Sequence, residues 1–188
     1  MSIFEFIMVM VSVILALALA QLLRALTEIS ASENSCWIHS AWTGVIAFLV
    51  IQTWWAYWDF TKVEIWTFVG YLTALFVPIA WFVLAHMLVP TTRSNETDWQ
   101  AHFEKIARSF YLILVLTMAV ATLSTWVYIG APLLHPYRAF QAALIGLLSI
   151  GLFVSSRKAH ARILIVYVSV LLTSQLVIRM NLGALAAG

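Results

Sequence analysis

Few residues in this sequence are equipped for chemistry, and they fall into two groups. The first combines acids, amides and arginines at the edges of long apolar runs: Glu5, Gln52, Trp55, Asp59, Arg138, Gln175 and Arg179. Gln52, Trp55 and Asp59 stand at i, i+3 and i+7, and Gln175 and Arg179 at i and i+4, spacings that put each set on one helix face. Ionisable groups near lipid are costly, so they pair with one another or face a wet cavity. Glu5, Gln52, Trp55, Asp59, Gln175 and Arg179 are therefore candidates to line a polar cavity for a small solute. Read more plainly, they are interfacial charges whose pairing fixes the order of helices.

The second group is His39, His86 and His160. Two histidines on facing helices can hold a haem iron axially. Only His86 falls clearly inside an apolar run, which makes it the one ligand to test; the sequence otherwise implies no cofactor and no metal. Cys36 is the only cysteine, which excludes an internal disulfide, a cysteine zinc site and a CxxC redox pair. The stretch Thr67-Phe68-Val69-Gly70-Tyr71 has some likeness to a potassium-channel filter but lacks the second glycine. No lysine lies inside an apolar run to carry retinal, no run has arginine at every third position, and no GxSxG, HExxH or Walker motif occurs. These absences make an enzyme the least favoured class.

The elements that must position these residues are membrane helices. The chain has 188 residues, 63% hydrophobic and 10% charged, against roughly 25% charged in a soluble domain. Its mean hydropathy of +0.97 makes lipid the natural solvent. Charge-free runs mark six spans, at about 6–23, 39–58, 65–89, 109–129, 139–156 and 163–178, close to the ~20 residues a spanning helix needs. The first run has no basic residue before it and reads as a retained helix rather than a signal peptide. Pro78 interrupts the third span, so a neighbour has to satisfy the carbonyl it frees. Segment 95–108 repeats Trp99, Phe103, Ile106 and Phe110 at helical spacing and reads as an amphipathic interfacial helix running into span four.

Seven of the ten Lys and Arg residues fall in the loops after spans one, three and five. By the positive-inside rule both termini face away from the cytoplasm. On that threading the acid–amide–arginine group gathers at the outer side and the histidines at the cytoplasmic side. Trp37, Trp42, Trp54, Trp55, Trp58, Trp66 and Trp126 lie near span ends, where an indole keeps its ring in lipid and its N–H near water. Ser12, Ala16 and Ala20, and Ala142 and Gly146, repeat at four-residue spacing and suit close helix approach, within the chain, to a second copy or to a membrane partner. A net charge of +2 with scattered basic residues argues against nucleic acid.

One arrangement has a family likeness. Glu5 in a first helix ending Gln21-Leu22-Leu23-Arg24, then Trp37-Ile38-His39 with Trp42, then Gln52 through Trp58, then Trp66-Thr67-Phe68, resembles a group of small, uncharacterised bacterial inner-membrane proteins. The likeness covers roughly the first half of the chain. It implies a multi-pass inner-membrane setting and transfers no activity. The sequence thus predicts an all-α, single-domain polytopic bundle of about six transmembrane helices, a non-enzymatic membrane component or a small-solute transporter or channel, with a haem redox protein as the remote alternative.

Overall fold

A computed structural model describes residues 2–32, 35–89, 98–130 and 136–178. The described residues form six α-helices and no strand: α1 Ile3–Ala31, α2 Trp37–Ala56, α3 Phe68–Met87, α4 Trp99–Ile129, α5 Pro136–Gly151 and α6 Arg157–Ile178. A 3-10 helix, Tyr57–Lys62, continues α2. α1, α3, α4 and α6 are long and apolar enough to cross a membrane.

Local sequence explains where the helices begin and end. Ser2 and Glu5 form a reciprocal capping box at the start of α1, with bonds of 2.8 and 3.1 Å. Thr67 Oγ1 accepts from Gly70 N at 3.0 Å to start α3, and Asp98 accepts from Gln100 N and Ala101 N to start α4. α4 stops at Gly130, whose φ of +71° lies in the left-handed region that side chains disfavour.

α1 buries one stripe, Ile7, Val11, Leu15, Ala18, Leu22, Ala25 and Ile29, while Phe6, Val9, Met10, Val13 and Leu17 stay exposed. A helix apolar on both its packed and its outward face is built for lipid. Its 29 residues span roughly 43 Å at ~1.5 Å per residue, more than the ~30 Å hydrocarbon layer. The charges of α1 other than Glu5 gather in its last turns, where Arg24 and Glu28 pair at 2.9 Å.

Helices α2, α3, α4, α5 and α6 form a closed ring in that order, with α2 also touching α4, and α1 packs outside it against α2 and α3. Bonds between helices set the directions. Trp54 of α2 donates to Ser12 of α1 at 3.3 Å, Arg138 of α5 reaches Thr122 of α4 at 3.0 Å, and His160 of α6 meets Tyr111 of α4 at 3.3 Å. The chain thus runs up and down. One end carries Glu5, Asp59 and Arg138, and the other carries His39, His86, His102 and His160.

Three sequence expectations take a more definite form. The described part of segment 95–108 is the start of α4 itself, with Trp99 and Phe103 buried against the rest of the protein. Ala16, Ala20, Ala142 and Gly146 all face outward, and a Cβ on Gly146 would meet nothing within 4 Å. Ser12 is half-buried. Pro78 is buried within α3 and removes the donor for the Ala74 carbonyl one turn earlier. The Tyr57 hydroxyl donates to that carbonyl.

Candidate functional site: a one-ended cavity

A cavity of about 110 Å³ lies within the ring, toward the Asp59 end. Five helices and the 3-10 helix build it. α2 contributes Leu49, Gln52, Thr53 and Ala56; α3 contributes Thr73, Ala74, Val77 and Trp81; α4 contributes Met118, Ala121, Ser124 and Thr125. Tyr57 and Phe60 close one side, and Phe140, Gln141, Leu144, Leu171 and Ser174 complete the wall. None of these side chains carries a charge, and none is a histidine.

Toward the other end the ring is filled by aromatic side chains. Trp42 lies 5.2 Å from Phe110, 5.8 Å from Tyr111 and 5.3 Å from Tyr167, centroid to centroid. All four are fully buried. On α2, α4 and α6 this layer sits one to two turns beyond the cavity: Trp42 against Leu49, Tyr111 against Met118, Tyr167 against Leu171. The Tyr111 ring fits because Gly151 has no side chain; a Cβ there would stand 2.7 Å from the ring. The cavity is thus floored on its histidine side.

Its polar groups are held in place by bonds within the bundle. Arg138, 8% exposed, directs Nη1 to Thr122 O at 3.0 Å, Thr125 Oγ1 at 2.8 Å and Gln141 Oε1 at 3.0 Å. One buried guanidinium therefore orients two lining residues. Trp81 Nε1 donates to Thr53 Oγ1 at 2.8 Å, tying α3 to α2 across the wall.

The candidates from sequence part company here. Gln52 is half-buried and lines the cavity. Asp59 is 5% exposed in the 3-10 helix, outside the lining. Trp55 is 40% exposed and faces outward with Trp54 and Trp58, as an interfacial indole does. Glu5 is exposed and caps α1. Gln175 is half-buried beside Ser174, which does line the cavity. Arg179 lies outside the described residues. Thr53, Trp81, Ser124, Gln141 and Ser174 also line the cavity, and the sequence offers no signal for them beyond a polar residue in an apolar run. Arg138 was visible as a charge at a span end, but its reach back onto α4 was not.

The histidines hold helix ends and rings in place. His39, fully buried, and His102 direct Nε2 to the carbonyls of Leu88 and Met87 at 2.8 and 3.0 Å. In each case Nε2 must donate, so each histidine covers a carbonyl that the end of α3 leaves without a helical partner. His160 stacks on Tyr111 at an interplanar angle of 14°. His86 is exposed and its Nδ1 lies 3.2 Å from Gln21 Nε2. Among the described residues no three His, Cys, Asp or Glu side chains gather to hold a metal ion.

No protein-family model, curated protein or solved structure matches the chain. Fold and site alone define its class: an all-α protein with four helices long and apolar enough to cross a membrane and an uncharged cavity among its helices.

Proposed function

We propose that this chain is a six-span protein of a bacterial inner membrane that acts without catalysis, holding a small, neutral, lipid-soluble molecule in its cavity. The observation that carries this reading is the lining: five helices converge on a space with no charged side chain, above a filled aromatic floor. Apolar walls with a few placed polar groups are what small-molecule pockets present. A transporter of polar solutes needs groups that replace the solute's hydration, and a floored, mostly apolar cavity offers few.

The fifth and sixth spans in this count are α2 and α5. α2 has no Asp, Glu, Lys or Arg over its 20 residues, and ~1.5 Å per residue gives it roughly 30 Å, one hydrocarbon thickness. Trp37 at one end and Trp54, Trp55 and Trp58 at the other are all exposed, as headgroup-level indoles should be; a hydropathy scale that marks Trp as polar understates such a helix. α5 has 16 residues; exposed Arg157, six residues past its end, can reach the interface by snorkelling, while Arg138 near its start is held inward by α4. With six spans, the basic-residue bias puts both termini on the non-cytoplasmic side.

Two experiments test the reading. In a Cys36→Ser background, Lys62→Cys and Arg157→Cys should be labelled from opposite sides of intact cells; labelling from one side overturns the threading. Native mass spectrometry of the protein released from lipid nanodiscs should show a small neutral adduct that Ala121→Phe, which fills the cavity, removes. Adducts equal in both proteins overturn the cavity's role.

A further inference from the structure

Four hydroxyls around the cavity have their protons committed. Ser124 Oγ donates to Val120 O at 2.7 Å, Ser174 Oγ to Leu171 O at 2.6 Å and Thr73 Oγ1 to Val69 O at 2.8 Å, each within its own helix. Thr125 Oγ1 donates to Thr122 O at 2.9 Å. A hydroxyl has one proton and two lone pairs. With the proton held by the helix, each of these oxygens can meet a guest only as an acceptor. The Tyr57 O–H and Trp81 N–H, two further donors on the wall, are likewise taken by Ala74 O and Thr53 Oγ1.

Gln141 is the opposite case. Its Oε1 accepts from Arg138 Nη1. A guanidinium has no acceptor, so the amide cannot be turned round, and its NH₂ group lies on the other branch. The α4–α6 side of the cavity, with Ser124, Thr125 and Ser174, therefore offers acceptors and, from Gln141, an amide donor. Its volume of about 110 Å³ is of the order that admits a single ring, since an apolar cavity of ~150 Å³ takes up benzene.

We propose that the guest is a neutral single-ring molecule bearing one hydroxyl, of the phenol class. Its O–H donates to Ser124 or Ser174, its oxygen accepts from Gln141, and its ring lies among Leu49, Val77, Leu144 and Leu171. A lining with no charged side chain favours the neutral phenol over the phenolate or a ring carboxylate. This inference rests on the cavity being a binding site at all, and the experiment separates the two.

The probes are 4-fluorophenol and 4-fluorotoluene, matched in shape and differing in the hydroxyl, titrated by fluorine NMR into the protein in lipid nanodiscs. The wild type should show saturable binding of both, with the phenol about tenfold tighter. Ala121→Phe, and independently Val77→Phe from another helix, should remove the saturable component for both probes, with near-ultraviolet circular dichroism showing that each variant stays folded. Ser124→Ala/Ser174→Ala should bring the two affinities together. Equal wild-type affinities that the filled variants abolish would overturn the hydroxyl preference and leave the cavity a binding site. A preference undiminished in the double serine variant overturns the assignment of its acceptors. No saturable component for either probe overturns the cavity reading together with this one.

Discussion

The Tyr57 hydroxyl donates to the carbonyl that Pro78 deprives of its helical donor. Pro78 lies four residues after Ala74, so α3 lacks one rung there, and Tyr57, from the 3-10 helix after α2, supplies the missing proton. In hydrocarbon there is no water to do so, and an unmet carbonyl costs several kcal/mol in principle. Tyr57→Phe should therefore destabilise the protein by about 1–3 kcal/mol. In a Pro78→Ala background, where the substituted alanine restores the backbone N–H, the same change should cost about 1 kcal/mol less. Reversible unfolding in mixed micelles measures the cycle, and additive costs would separate the two residues.

Gly151 and Gly146 offer a matched pair on α5. A Cβ at Gly151 would stand 2.7 Å from the Tyr111 ring, whereas one at Gly146 would meet nothing within 4 Å. Gly151→Ala should cost about 1–3 kcal/mol by overpacking. Gly146→Ala should be neutral or stabilise by up to about 1 kcal/mol through helix propensity. Thermal unfolding of the two variants in one detergent decides it, and the reverse order would displace Tyr111 from the floor of the cavity.

Arg138 holds α5 to α4 through two acceptors, Thr122 O and Thr125 Oγ1, and orients Gln141 on its own helix through a third. Arg138→Met should lower stability by about 2–4 kcal/mol, because breaking a buried charged network leaves its partners unmet. Arg138→Lys should recover only part of that, since an ammonium lacks the planar fork. Amide hydrogen exchange should show the loss of protection concentrated at 122–125 and 138–141; a loss spread evenly over all six helices would contradict this assignment.

His39 and His86 should respond in opposite ways to the same substitution. His39→Phe leaves the buried carbonyl of Leu88 unmet and should cost about 1–3 kcal/mol. His86→Phe removes only a bond to Gln21 at an exposed site and should change stability by less than about 0.5 kcal/mol. A Soret band in the purified wild type that His86→Phe abolishes would instead restore haem ligation.

The helices were legible because charge-free runs of that length have one stable form in lipid, and so was the need for a neighbour to serve Pro78. The cavity was less so. Gln52, Trp55 and Asp59 share a face only if α-helical spacing continues, but α2 gives way to a 3-10 helix at Tyr57. The angular step then widens from about 100° to about 120° per residue, and Trp55 and Asp59 part. Ser124, Gln141 and Ser174 come together only through contacts among α4, α5 and α6. Periodicity also finds the stripe of Trp99 and Phe103 without saying whether lipid or protein covers it.

α1 packs against α2 and α3 through seven buried residues, yet none of the cavity's lining belongs to it. It braces the bundle from outside the cavity. Damage to its stripe, as at Ala18, should shorten the protein's lifetime in the bilayer and leave its affinity for a guest untouched.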